Sequence, residues 1–367
     1  MKILLLTTHM ETGGIPVYVA ELARGLKRAG HRPIVVSSGG GLEERLAREG
    51  VPHHRIPWRT SSELSPRLWL FSFWKAVRLI RREKPDLLHA HTRVTQVLAC
   101  AAGLLTRVPV VTTCHGLYRF RIGRRIFPCW GRKVMAVSEP TLEQLTDRYR
   151  IARRDRAALI WNGVDVERFM EPPDPEAAAR FRRDNGLSGD PVVGAVCRLS
   201  AVKGLELLLQ AAPPLLKEFP RLQVLLVGEG PERANLVRLA YELGIADRVV
   251  ISHPVEDVRV PLSCLRVFAA PAFQEGFGLS LAEAMAAGVP PVAADAEGPS
   301  RIIEHGVSGL LVSPGSAEGI TQALRALLSD PQKHAAIASA ARRRVRERFD
   351  IRRMTEEVEA VYAQAVA

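Results

Sequence analysis

The chain has 367 residues, 47% of them hydrophobic and 25% charged, ordinary values for a globular protein that exclude a disordered or fibrous chain. At about 100–200 residues per domain, that length predicts two compact domains, each with its own interior. The net charge of +12 is uneven: residues 1–160 hold 28 Lys and Arg against 12 Asp and Glu, and the rest hold 23 against 27. A basic first half suits a surface that meets phosphate groups, on a membrane, a phosphorylated glycan or nucleic acid. The five cysteines, Cys100, Cys114, Cys129, Cys197 and Cys264, form no CxxC pair and no metal-ligand spacing with histidine, so they are expected to be reduced and mostly buried in a cytosolic protein. The opening MKILLLTTHM has no secretion-signal pattern. No stretch approaches the roughly 18 apolar residues of a membrane-spanning helix.

Taken in order, the first half alternates apolar runs with helical segments. KILLLTT (2–8) reads as a strand, 15–29 as a helix, RPIVVS (32–37) as a strand, and 41–49 and 67–82 as helices; PDLLHAH (85–91), VPVVTTCH (108–115) and KVMAVSE (133–139) are further strands. Buried parallel strands carry such β-branched and leucine-rich runs, and the alternation implies a doubly wound α/β sheet with ligands at the carboxyl ends of its strands. The interval 171–191, rich in proline and charge, reads as a linker. After it PVVGAVCRLS (191–200), LQVLLVGEG (222–230), RVVIS (248–252), RVFAAPA (266–272), VPPVAAD (289–295) and GLLVSPG (309–315) read as strands of a second doubly wound domain. The expected division is therefore 1–170, a linker over 171–190, a second domain over 191–348, and a C-terminal helix over 349–367 that crosses back to the first domain. Two such sheets facing a central cleft would line it with strand ends and helix N-termini.

Several loops suit anion binding there. Gly13 and Gly14 follow the first strand, where bare backbone would let N–H groups approach a phosphate or a sugar; an ordinary strand-to-helix turn is the other reading. The pair does not make the GxGxxG dinucleotide fingerprint. In CRLSAVKG, Arg198 and Lys203 sit where two cations would neutralise a diphosphate, or would merely be solvated. In QEGFGLSLAEAMAAGVP (274–290), Gly276 and Gly278 predict a helix beginning at Ser280. SLAE (280–283) also matches a capping box in which Glu283 folds back on Ser280, whereas Glu275 has no such local role and suits sugar hydroxyls beside the glycine loop.

With these residues in place, the chain resembles the family 4 retaining glycosyltransferases of the GT-B fold along essentially its whole length. EGFGLSLAEAMAAGVPPVA is similar to that family's E-x7-E signature, CRLSAVKG to its arginine and lysine element, and VGEGPER (227–233), with Gly228, to its glycine-containing turn. In the first half GGIPVYVAELARGLKRAGH, PDLLHAHT, TTCHGLY, AVSEPT and WNGVD have counterparts in the same order. The resemblance implies a nucleotide-sugar donor, most simply a UDP-sugar, held mainly by the second domain. Arg198 and Lys203 would bind its diphosphate with N–H groups near Gly276, Phe277, Gly278 and Leu279, Glu275 the sugar hydroxyls, and Glu283 the ribose. Gly13 and Gly14 would close over the diphosphate, and His115 would hold a sugar hydroxyl or polarise the reacting centre rather than act as a general base. No metal and no further cofactor is implied. Where the family usually carries a second glycine pair or similar loop, this chain has AEGPSRII (296–303), a change that touches the donor-sugar contacts.

LWLFSFWKAVRLIRREK (68–84) mixes Trp69, Phe71, Phe73 and Trp74 with Lys75, Arg78, Arg81 and Arg82, and LYRFRIGRRIFPCWGRK (117–133) repeats the mixture with Arg121, Arg124 and Arg125. Aromatics at a basic surface suit an anionic bilayer interface; core aromatics beneath a solvated charged face are the alternative for the first segment. The expectation is a peripheral enzyme on the inner face of the cytoplasmic membrane. It would act on a lipid-linked or anionic envelope glycan such as a lipopolysaccharide core. A nucleotide-sugar 2-epimerase on a similar scaffold is a competing reading. A nucleic-acid-binding protein, suggested by charge alone, has no RNA or DNA motif to support it.

Overall fold

The computed structural model describes residues 1–11, 13–58, 66–117, 127–148 and 153–367, and of residues 66–69 and 148 only the backbone. The chain divides into two units, Met1–Gly163 with Ile351–Ala367, and Val164–Asp350.

In the first unit the strands are β1 (Lys2–Leu6), β2 (Arg32–Ser37), β3 (His53–Arg55), β4 (Leu87–Ala90), β5 (Val110–Cys114), β6 (Lys133–Ala136) and β7 (Ala157–Leu159), arranged β3-β2-β1-β4-β5-β6-β7. Every pairing is parallel. Side chains alternate across a strand, so β1 sends Ile3 and Leu5 into one apolar layer and Leu4 and Leu6 into the other. The first layer is closed by the helix Gly14–Arg28 and the C-terminal helix Ile351–Val366. The latter buries Ile351, Met354, Val358, Val361, Tyr362 and Ala365, the i, i+3, i+7 stripe of an amphipathic helix. At about 1.5–3 kcal/mol for each large apolar side chain, that stripe fixes the chain terminus to the first unit.

The second unit carries β8 (Val192–Val196), β9 (Gln223–Val227), β10 (Val249–Ser252), β11 (Val267–Ala270), β12 (Pro291–Ala294) and β13 (Leu310–Val312) in the order β10-β9-β8-β11-β12-β13, again wholly parallel. Both sheets reverse their strand order once, at β1/β4 and at β8/β11. In open α/β sheets ligands bind outside the carboxyl ends of the strands at that reversal.

Two boundaries differ from the sequence expectation. The chain changes unit at Gly163–Val164, not after residue 170. The expected linker 171–190 contains the helix Pro175–Asp184, capped by Asp174, and belongs to the second unit. Its charge marks a solvated helix face, and only Phe181 of the helix is buried.

Candidate active site

In the second unit, the loops that leave β8 and β11 start side by side because those two strands are hydrogen-bonded neighbours. The β8 loop passes Arg198 and a short turn at Ala201–Lys203, and the β11 loop passes Glu275 before the helix Leu279–Ala286. The loops are tied by Phe273 N–H donating to Val202 O at 2.9 Å. Lys203 Nζ and Glu275 Oε2 then meet in a close ion pair, each side chain 23% exposed. Arg198, five residues upstream on the same loop, is exposed and makes no ion pair among the described residues. The structure thus brings together Lys203 and Glu275 and leaves the Arg198 guanidinium available on their loop.

Gly278 caps the helix Leu279–Ala286 at φ 97°, a left-handed conformation that a side chain would strain. The helix therefore begins one residue earlier than Ser280, and no side-chain hydrogen bond caps it. The SLAE capping box is not formed, because Ser280 lies inside the first turn and Glu283 beyond it. The first N–H groups of any helix lack intrahelical acceptors, so this loop offers amide donors beside the Lys203–Glu275 pair. Phe277 contributes only backbone, since its ring is buried and packs edge-on against Phe349 at 5.5 Å. The AEGPSRII segment reaches the same loop: Gly298 N–H donates to Glu275 O at 2.9 Å, and a Cβ on Gly298 would stand 2.6 Å from both Glu275 O and Phe277 O. Gly228 has a packing reason of its own, for a Cβ there would lie 1.9 Å from Cys197 O.

In the first unit, Gly13 caps the helix Gly14–Arg28 in extended backbone. A Cβ on Gly14 would meet nothing within 4 Å, and one on Gly13 only Pro16 Cδ at 3.8 Å. Nothing in this unit crowds those two positions, in contrast to Gly228. His115 follows β5, partly buried, with Tyr18 edge-on to its ring at 4.7 Å. Its Nε2 lies 3.2 Å from Nδ1 of His91, which follows β4. Burial pushes the His115 imidazole down to about 3 and holds His91 well below its ordinary range, so both rings are neutral at physiological pH.

Sequence reasoning passed over the polar chain beneath. His89 bridges Tyr362 Oη on the C-terminal helix and Thr113 Oγ1, each at 2.7 Å, and its ring lies 4.0 Å from that of His91. Thr113 also bonds Tyr18, whose hydroxyl burial holds above its ordinary value. The signal was the HAH of PDLLHAHT, since residues two apart on a strand share a face. Among the described residues no three His, Cys, Asp or Glu side chains converge as metal ligands.

On the helix Pro66–Glu83 the described aromatic side chains divide between core and surface. Phe73 packs on the core layer, while Leu70, Phe71 and Trp74 are more than half exposed. Lys75, Arg78, Arg81 and Arg82 continue the same exposed face. The Trp69 side chain and residues 118–126, with Arg121, Arg124 and Arg125, lie outside the described residues. Among those described, no helix is long and apolar enough to cross a membrane.

Residues 12–168 match the family model "Glycosyltransferase Family 4", and residues 178–344 match "Glycosyl transferases group 1". The chain is similar to the D-inositol 3-phosphate glycosyltransferase of Nocardia farcinica, 31% identical over 87% of this chain and 78% of that one. It is also similar to an uncharacterised glycosyltransferase of Methanocaldococcus jannaschii, 27% identical over 100% of this chain and 99% of that one. The crystal structure of Anabaena HepE in complex with UDP-glucose superposes with a TM-score of 0.84 at 25% identity, covering 99% of this chain and 100% of that one. Two parallel-sheet units of this topology, the paired lysine and glutamate at the second sheet's reversal point and these matches lead to one conclusion: the chain belongs to glycosyltransferase family 4 and is a glycosyltransferase of the GT-B fold.

Proposed function

We propose that the protein moves a sugar from a UDP-sugar to a lipid-linked or envelope glycan, such as a lipopolysaccharide core, with retention of configuration and without a metal or further cofactor. The observation that carries the reading is the Lys203–Glu275 pair beside the amide donors of Gly276–Leu279. Lys203, Arg198 and those amides neutralise the diphosphate, Glu275 accepts hydrogen bonds from the sugar hydroxyls, and Glu283 holds the ribose. The UDP-glucose bound to the similar HepE supports this choice of donor. As the bond from the anomeric carbon to the diphosphate oxygen breaks, the acceptor oxygen bonds that carbon from the same face. The acceptor proton passes to the departing phosphate. Preorganised cations and amides at the developing charge supply the largest part of such a rate enhancement. His115, neutral at working pH, donates a hydrogen bond to the reacting sugar, and the open backbone at Gly13 and Gly14 admits the donor.

For the acceptor, the support is the helix Pro66–Glu83, whose exposed face runs from Leu70, Phe71 and Trp74 into Lys75, Arg78, Arg81 and Arg82. An apolar wedge followed by cations suits the headgroup boundary of an anionic bilayer, which supports action at the inner face of the cytoplasmic membrane. A soluble phosphorylated polyol is the second acceptor reading, favoured by the name of the Nocardia relative. Neither reading calls for nucleic acid.

A thermal-shift panel of UDP, GDP and ADP with their sugars tests the donor, because a ligand that binds only the folded state raises the melting temperature. The expected result is stabilisation by UDP and its sugars above the others. No response to any nucleotide would overturn the reading. NMR of the product anomer tests retention, and incubation of a UDP-sugar without acceptor tests epimerase chemistry in its place.

A further inference from the structure

His115 does not stand alone at the end of its strand. Its Nε2 is 3.2 Å from Nδ1 of His91, and this is the one hydrogen bond of its ring among the described residues. Its ring is partly buried, so Nδ1 is the nitrogen left to meet solvent or ligand. His91 is wholly buried between the rings of His89 at 4.0 Å and Tyr18 at 5.6 Å, and its Nε2 has no hydrogen-bond partner.

A neutral imidazole carries one N–H and one bare nitrogen, which leaves two ways to make the bond. If His115 donated Nε2–H, His91 would carry its own proton on Nε2, a buried N–H with no acceptor. If His91 donates Nδ1–H, its Nε2 is a bare lone pair instead. Orphaned buried N–H groups are the rarer and costlier defect, so the second arrangement is preferred. It leaves His115 with its proton on Nδ1, the accessible nitrogen.

We infer that His91 is a positioning residue: by donating Nδ1–H to His115 Nε2 it holds His115 as the Nδ1–H tautomer and aims a hydrogen-bond donor at the bound sugar. Its catalytic half rests on the role given to His115 under Proposed function. The tilted His89 ring, held at both nitrogens by Tyr362 and Thr113, and the tilted Tyr18 ring pack against His91 and keep its Nδ1 turned toward His115.

The test is long-range proton–nitrogen NMR on the full chain with histidine-selective labelling at pH 7.5, the His115 signals being assigned by their loss in His115→Ala. In the wild type His115 gives the pattern of a protonated Nδ1 and a bare Nε2. His91→Asn, whose side-chain amide N–H can stand where Nδ1–H stood, keeps that pattern, and His91→Leu replaces it with a tautomer mixture. In turnover, His91→Leu lowers kcat roughly 10- to 100-fold with the donor KM little changed, and His91→Asn recovers kcat to within a few fold. An Nε2–H tautomer at His115 in the wild type overturns the inference, as does an unchanged tautomer in His91→Leu. Wild-type turnover by His115→Ala would overturn the catalytic half together with the role of His115, while the tautomer result would still stand for the pair itself.

Discussion

Lys203 and Glu275 are both about three-quarters withdrawn from water, so each is held in place by the other. Truncating Lys203 removes the cation expected at the developing phosphate charge. Lys203→Ala is predicted to lower kcat/KM about 10²- to 10³-fold, the usual loss for one such electrostatic contact, with a melting temperature within a few degrees of wild type. The glycines separate in the same way. Gly228→Ala drives a Cβ to 1.9 Å from a backbone oxygen and is predicted to destabilise the fold by about 2–4 kcal/mol in denaturant titration. Gly14→Ala meets open space and should leave stability nearly unchanged, while donor turnover falls. Equal stability loss in both variants would remove the distinction between a packing glycine and a binding one.

At the scale of elements, the buried polar chain ties the C-terminal helix to β4 and β5 through Tyr362, His89 and Thr113. His89 and His91 are held neutral by burial, well below their ordinary value, whereas the unfolded chain protonates both near pH 6.5. The unfolded state therefore binds more protons as the pH falls, and stability falls with it. Calorimetry from pH 7.5 to 5 should show a declining melting temperature, each histidine costing about 1.4 kcal/mol per pH unit below its unfolded value. His89→Gln should show a shallower decline below pH 6.5, with the part due to the buried His91 and His115 remaining, and an unchanged slope would deny His89 its share.

Strand runs were legible at this scale because buried parallel strands are continuously apolar. The three-residue edge strands His53–Arg55 and Ala157–Leu159 were not, since the first is polar and both are too short to show a period. Glu275 and Lys203 were legible as chemistry, but that they touch follows from β8 and β11 being neighbours, a property of topology that no local window contains. The capping box over Ser280–Glu283 misled because a left-handed Gly278 had already set the helix start. The HAH doublet was visible as strand, while its partner in Tyr362 lies 273 residues away.

For the whole molecule, the basic first half and the graded face of the helix Pro66–Glu83 predict ionic-strength-dependent sedimentation with anionic vesicles. Replacing Phe71 and Trp74 with serine should weaken binding at all salt concentrations, and charge removal at Lys75, Arg78 and Arg82 chiefly at low salt. Binding unaffected by either change would place the acceptor in solution. The donor claim is tested most directly by calorimetric titration of UDP and a UDP-sugar into wild type, Lys203→Ala and Glu275→Ala. The account predicts that Lys203→Ala weakens both ligands, whereas Glu275→Ala keeps UDP within a few fold and loses the added affinity of the sugar. Wild-type affinity for both ligands in both variants would contradict it.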